Sequence, residues 1–176
     1  MAKTYTAAGT VAAGDVATAA AWNVVTADVN NLIVPPGVRA IRSTNLSYTS
    51  NTAITFEAVS GSGAFDTDSM WASGSPTLLT INTTGIYTID FTYAAAFTGT
   101  VTRVESYLTT SVGSFIVQDI TQGSYTADIS GGFSITLALT AGNTISATIG
   151  FTGGSAFSLY GTGRTALSAV WIGRTS

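Results

Sequence analysis

The sequence has 176 residues, only 9% of them charged, a net charge of −3, and neither cysteine nor histidine. Its length predicts one domain with a short appendage, and the missing side chains exclude disulfide scaffolds, thiolate metal sites and catalysis by histidine or cysteine. The five arginines are scattered singly, so no basic patch is available to neutralise phosphates. We therefore expect a binding protein that is not an enzyme, uses no cofactor and has no nucleic-acid partner.

The polar residues are mostly uncharged, with 31 threonines and 19 serines. Threonine suits a pleated strand and still presents a hydroxyl to water, so this composition predicts a β-rich protein with a neutral exterior. The mean hydropathy is +0.39, but Ser, Thr or Gly interrupts every apolar run, and no segment reaches the roughly 18 apolar residues of a membrane span. The N-terminus also lacks the apolar core of a secretion signal. We expect neither a signal peptide nor a transmembrane segment, and no membrane partner.

The first elements in chain order are a weakly patterned leader and a short amphipathic helix. The helix is predicted to follow Thr18 as N-cap and to stop before Pro35-Pro36-Gly37. Its apolar residues recur at intervals of three and four and so lie on one stripe: Trp22, Val25, Val29 and Leu32. This stripe either packs on the base of its own domain or docks onto a second surface as an anchoring or trimer-forming segment.

From Val38 onward the apolar residues alternate with polar ones, which is typical of strands with one buried face. The run from Tyr87 to Tyr93 shows this alternation, as do two later runs, Phe133 to Leu139 and Ile145 to Phe151. Because only a short turn containing Ala141-Gly142-Asn143 separates the last two runs, we predict that they form an antiparallel hairpin.

With the remaining segments, the chain is predicted to have eight to ten short strands separated by Gly, Ser and Asn turns, which indicates an all-β fold, either a sandwich or a jelly roll. The last strand, Ala166 to Ile172, is apolar on both faces. It should therefore be central in its sheet or covered by a neighbouring subunit. We divide the chain into an N-terminal anchoring segment, 1–36, and a β domain, 37–176.

Several segments of the chain resemble a known family. They are Phe65-Asp66-Thr67-Asp68-Ser69-Met70-Trp71, Thr84-Gly85-Ile86-Tyr87, Leu139-Thr140-Ala141-Gly142-Asn143-Thr144-Ile145 and Leu167-Ser168-Ala169-Val170-Trp171. In this order they resemble the jelly-roll domains of the C1q and tumour-necrosis-factor type, and within that superfamily the versions carried by tailed bacteriophages. The leader from Gly14 to Pro36 looks like the short element that precedes such domains in phage virion proteins.

The resemblance implies a homotrimer that works as a structural or adhesion module of a virion. We expect a capsid decoration or cement protein whose partners are its own copies, the major capsid protein or other virion proteins. The alternative is a tail-tip or tail-fibre protein that binds a host receptor, with a host surface glycan as a further candidate partner. Anchoring to the virion is assigned to the stripe Trp22, Val25, Val29 and Leu32, and the trimer interface to Val170, Trp171 and Ile172.

Two further groups of residues are candidates for binding. Tyr125, Phe157 and Tyr160 fall in Gly- and Ser-rich stretches and are the aromatic residues expected to be available to a ligand. Asp66 and Asp68 are spaced to offer oxygen ligands to calcium. They are equally placed to cap a turn through hydrogen bonds to backbone N–H groups, which is the commoner role of such residues. We therefore expect no metal site.

Overall fold

A computed structural model describes residues 18–57, 59–61, 63–125 and 128–175. These residues form one helix, α1 (Ala19–Ile33), and twelve strands. The helix begins where the N-cap was predicted, with the Trp22 N–H donating to the Thr18 carbonyl oxygen at 3.1 Å. It ends two residues before Pro35, which has no N–H and disfavours a helical conformation in the residue that precedes it.

The strands are short near the start of the domain and long in its middle. In chain order they are β1 (Gly37–Ile41), β2 (Leu46–Tyr48), β3 (Thr52–Ala53), β4 (Phe65–Asp66), β5 (Leu79–Thr80), β6 (Gly85–Thr98), β7 (Val101–Thr110), β8 (Gly113–Tyr125), β9 (Asp128–Leu139), β10 (Thr144–Gly153), β11 (Ala156–Leu159) and β12 (Ala166–Gly173).

Seven of the strands form one antiparallel sheet, here called sheet I. Its central strand is β6, which pairs with β9 along one edge and with β12 and β11, end to end, along the other. Beyond β12 lie β1 and then β4, and beyond β11 lies β2. The closing strand β12 is therefore central in its sheet, as its two apolar faces predicted.

The other five strands form sheet II, with β10 and β7 in its middle and β8 at its edge. The short strands β3 and β5 lie end to end on the free side of β10. The apolar faces of the two sheets pack against each other in one hydrophobic core, in which Tyr87, Ile89, Leu108 and Ile149 are fully buried. This is an antiparallel jelly-roll sandwich, and the predicted fold class is confirmed.

The predicted hairpin between Phe133 and Phe151 is wrong. The strand β9 pairs with β6 in sheet I, whereas β10 pairs with β7 in sheet II, so the turn between them crosses from one sheet to the other. The Asn143 side chain accepts a hydrogen bond from the Thr140 N–H at 2.8 Å, and Ile81 exchanges backbone hydrogen bonds with the turn. Alternation shows which side chains face the core, but both sheets face the same core, so it does not identify the neighbouring strand.

Candidate interaction surfaces

The apolar stripe on α1 is the most exposed group of large apolar side chains that the structure describes. Trp22, Val25, Val29 and Leu32 are between 41% and 68% exposed, and Ile33 continues the stripe at the end of the helix. The interpretation that the stripe packs on its own domain is therefore wrong. A 15-residue helix in water gains most of its stability from packing of its apolar face. The stripe would therefore stabilise the helix if another surface covered it.

Two hydrogen bonds fix where the chain passes from α1 into sheet I. The Thr67 hydroxyl donates to the Pro35 carbonyl oxygen at 2.7 Å, and the Trp171 N–H donates to the Pro36 carbonyl oxygen at 2.9 Å. The helix therefore leaves the sandwich beside the end of β12, next to the exposed Ile172.

The three residues assigned to a trimer interface on β12 do not share a face. Val170 is half-buried and Ile172 is 57% exposed, and both lie on the outer face of sheet I. Trp171 points the other way and is only 8% exposed, within the core. Its indole lies against Gly85, where an added Cβ would come within 1.9 Å of Trp171 Nε1. The assignment of Trp171 to the interface is therefore corrected, because adjacent side chains of a strand face opposite sides.

Around Val170, the outer face of sheet I carries uncharged and partly apolar side chains. Thr88 pairs with Val170 on β12 and with Thr136 on β9, and Ile86 pairs with Ala138 in the adjacent row. These positions carry small or branched side chains that are only half-covered or exposed within one chain. The same face also carries Asp90 and Arg39, which flank Ser168 in one row of the sheet. The part around Thr88 and Ile86 can therefore be buried without removing charges from water, whereas the row of Ser168 cannot.

The sandwich is open along one edge, where β9 borders sheet I. Phe133, Ile135 and Leu137 point towards the core but are only half-buried, whereas Ile89, the β6 partner of Ile135, is fully buried. The edge strand of sheet II on this side is β8, where the half-buried Phe115 belongs to the same apolar group. Period-two alternation predicted that these side chains face inward, but it does not indicate which strand is at an edge.

The three aromatic ligand candidates have different environments. Phe157 lies on β11, not in a loop, and is fully buried. Its ring centroid lies 5.2 Å from that of Tyr48 and 5.7 Å from that of Phe97. Its assignment as an exposed ligand residue is wrong, because the sequence Ala-Phe-Ser-Leu is a strand bonded on both sides. Tyr125 ends β8, and its side chain lies outside the described part of the structure.

Tyr160 follows β11 and belongs to a small polar cluster at the surface. Its hydroxyl donates to Asp128 Oδ2 at 2.9 Å, and the Arg164 guanidinium lies 5.2 Å from the ring centroid. The hydrogen bond to Asp128, with burial and the negative charge of Asp128 as lesser causes, raises the pKa of Tyr160, while Arg164 acts in the opposite direction. The cluster offers a phenol, a carboxylate and a guanidinium within reach of one polar ligand.

Both candidate metal ligands are engaged in holding the loop after β4. Asp66 accepts hydrogen bonds from the backbone N–H groups of Asp68, Met70 and Trp71 at 3.0–3.2 Å. Asp68 is buried and accepts a hydrogen bond from the Thr83 hydroxyl at 2.9 Å. Asp66 therefore caps the turn as considered for the pair, whereas Asp68 bonds to a side chain 15 positions away. Within the described residues, no group of three or more Asp and Glu side chains is arranged to hold a metal ion.

An ion pair between a buried arginine and a partly exposed glutamate, next to β1, was not predicted from the sequence. Arg42 is 1% exposed, and its Nη2 lies 2.5 Å from Glu57 Oε1. Glu57 also accepts hydrogen bonds from both the backbone N–H and the hydroxyl of Ser43 and of Thr44. Burial acts to raise the pKa of Glu57, but the hydrogen bonds from Ser43 and Thr44 outweigh it and lower the pKa to about 2. The cluster ties β1 to the segment after β3 and has a structural role.

This pair was missed because the segment after β3 is irregular. The strand β3 covers only Thr52–Ala53, and the chain from Ile54 to Glu57 belongs to no strand. The Phe56 N–H donates to the Pro76 carbonyl oxygen, and the Glu57 N–H to that of Ile41. These bonds turn the Glu57 side chain towards Arg42.

Comparisons with known proteins show the fold. No family model matches the sequence, and no curated protein matches it. Among solved structures, the chain is similar to the globular domain of zebrafish complement 1qA protein, with a TM-score of 0.54 and 13% identity over 80% of this chain and 99% of that one. It is also similar to murine APRIL, with a TM-score of 0.50 and 14% identity over 78% of this chain and 98% of that one. The domain thus has a C1q/tumour-necrosis-factor-like jelly roll. Separately, the described residues include no helix that is long and apolar enough to cross a membrane.

Proposed function

We propose that the chain is a structural protein of a tailed bacteriophage, which forms a homotrimer and decorates or cements the surface of the capsid. The assignment to a phage rests on the sequence resemblance of the Phe65–Trp71 segment and the leader. The observation that carries a binding role is the combination of an exposed helical stripe, an uncharged and partly apolar patch on a sheet face, and an open apolar edge on one small domain. Each of these surfaces gains stability when a partner covers it.

A homotrimer accounts for the face and the edge together. The face of sheet I around Val170 and Ile86 and the edge formed by Phe133, Ile135 and Leu137 are different patches of the same molecule. A contact between two different patches is heterologous, and such contacts close into a ring when the rotation between copies permits it. Three copies would then each cover the edge of the next. Obligate interfaces of this kind bury about 2,000 Å² or more.

The trimer is tested by light scattering on the purified chain. We expect a mass about three times 17.9 kDa, and a Val170→Glu variant should shift towards the monomer, because the new carboxylate would be buried at the interface. Thr109→Glu is the matched control, since Thr109 is exposed on sheet II. Circular dichroism should show that both variants are folded. A wild-type monomer at micromolar concentration would contradict the proposed assembly.

Attachment to the particle is assigned to segment 1–36. The exposed stripe on α1 supports this assignment, whether its four side chains touch the virion directly or join copies of the protein. A chain that lacks residues 1–36 should fold as the β domain and fail to bind purified particles. A truncated protein that binds particles as well as the full chain would refute the anchoring role.

The second candidate function is a tail-tip or tail-fibre adhesin that binds a host receptor, with a surface glycan as ligand. The observation that favours it is the exposed cluster of Tyr160, Asp128 and Arg164, which offers both hydrogen bonds and an aromatic ring. Copy number in purified particles separates the two functions. A decoration protein is present in many copies per particle, whereas an adhesin at the tail tip is present in only a few.

A further inference from the structure

The stripe on α1 has the spacing of a coiled-coil seam. The intervals of three, four and three residues place Trp22 and Val29 at a positions, and Val25 and Leu32 at d positions, of two successive heptads. All four side chains are exposed. A seam of this width is narrower than the apolar face by which a helix usually packs on its own domain.

We propose that the α1 helices of three copies pack against one another in a short parallel bundle, with this stripe as its seam. The inference rests on the proposed homotrimer and names the first partner of the stripe, a second and third copy of the same helix. The virion surface would then contact the outside of the bundle or the leader before it.

The position of the helix on the sandwich supports this arrangement. Because the Pro36 carbonyl oxygen accepts the Trp171 N–H, α1 is joined to the domain beside the exposed Ile172. The apolar residues at the end of the helix, Leu32 and Ile33, are thus close in sequence to the point where the chain joins sheet I. The outer face of this sheet is the one proposed to form the trimer interface. Three copies related by a threefold axis would start their helices from the same end, in parallel and in the same register.

The charge and the length of the helix agree with packing among identical copies. Asp28 is the only charged residue of α1, so parallel copies would not bring a row of like charges together. A bundle of three such short helices would be marginal alone. Attached to an assembled trimer, however, the helices meet at an effective concentration in about the millimolar range, which favours association through modest contacts.

Cysteine cross-linking tests the inference directly, because the natural chain contains no cysteine. Val29→Cys places a thiol in the seam, and Ala20→Cys places one on the exposed opposite side of the helix. Each variant is oxidised with copper phenanthroline and followed on a non-reducing gel. We expect Val29→Cys to form a covalent dimer at least about tenfold faster than Ala20→Cys, because the seam holds thiols of neighbouring copies close together.

Light scattering on the two reduced variants separates failure of this inference from failure of the proposed function. If both variants are trimers and cross-link at equal rates, the bundle is refuted while the homotrimer stands. The stripe would then contact the virion surface directly. If both are monomers, the homotrimer is refuted, and the bundle with it.

Discussion

Replacing Glu57 by Gln removes the negative charge that faces the buried guanidinium of Arg42. In the wild type, the carboxylate lies 2.5 Å from Arg42 Nη2 and accepts four hydrogen bonds from Ser43 and Thr44. The variant keeps the size of the side chain but leaves Arg42, which also donates to the carbonyl oxygens of Thr44 and Thr55, without a counterion. The guanidinium is 1% exposed and cannot turn to water without opening the loop.

The magnitude follows from the pKa of Glu57. Burial acts to raise this pKa, but the hydrogen bonds from Ser43 and Thr44 outweigh it and lower the pKa from 4.5 to about 2 in the folded chain. At about 1.36 kcal/mol per pKa unit, this difference sets an upper limit of about 3 kcal/mol on the stabilisation. Because the carboxylate is 29% exposed, solvent screening reduces our expectation to about 1–2 kcal/mol. A carboxyl whose pKa is lowered by folding stabilises the folded state above pH 4.5, and this contribution is lost as the pH falls from 4.5 towards 2.

The assay is urea unfolding of the wild type, Glu57→Gln and the control Asp128→Asn at one fixed protomer concentration, at pH 7, 4 and 3. Asp128 is an exposed carboxylate, and the amide oxygen of Asn can still accept the hydrogen bond from Tyr160, so this variant should stay within about 0.5 kcal/mol of the wild type. The deficit of Glu57→Gln should be largest at pH 7 and should shrink at pH 3. A deficit that is absent at pH 7, or that stays constant down to pH 3, would refute the role assigned to the hydrogen-bonded carboxylate of Glu57.

Two further predictions concern the core. Gly85→Ala should lower the free energy of unfolding by about 1–3 kcal/mol and shift the tryptophan fluorescence, because the new Cβ collides with the Trp171 indole. Unchanged stability and unchanged emission would contradict the placement of that ring. Phe157→Ala should lower the free energy of unfolding by about 3–5 kcal/mol because it leaves a cavity in the core. Tyr160→Phe removes one exposed hydrogen bond and should lower it by less than about 1 kcal/mol. Equal thermal denaturation midpoints for these two variants would contradict the burial of Phe157.

The sequence predicted the fold class better than the connections between strands. Alternating apolar residues identified β6, β9 and β10 and the faces that they bury, because burial on one face leaves a period of two in the sequence. The partner of each strand was not predicted in the same way. The turn at Asn143 has the length and composition of a hairpin turn, and what makes it cross between the sheets is its bonding to Ile81, which is 62 positions away.

The candidate sites were predicted unevenly for a related reason. The α1 stripe could be read directly, because a helix repeats its contacts over short intervals. Phe157 and Trp171 were misplaced because the side on which a strand residue lies depends on where its strand begins. Arg42 and Glu57 stand 15 positions apart in a stretch without periodicity, and a lone arginine in a sequence is usually a surface residue.

The connection between α1 and β1 also determines how the domain would respond to a pulling force. Tension applied through the N-terminal segment would reach the sandwich first at Pro35 and Pro36, whose carbonyl oxygens accept hydrogen bonds from Thr67 and Trp171, and then at Gly37, the first residue of β1. That strand is held by β12 over five residue pairs and by β4 on its other side. A force along the strand loads these hydrogen bonds together, in shear, and does not open them one after another. Extraction of the domain by its tether would therefore be limited by its rate of unfolding, which governs forced unfolding.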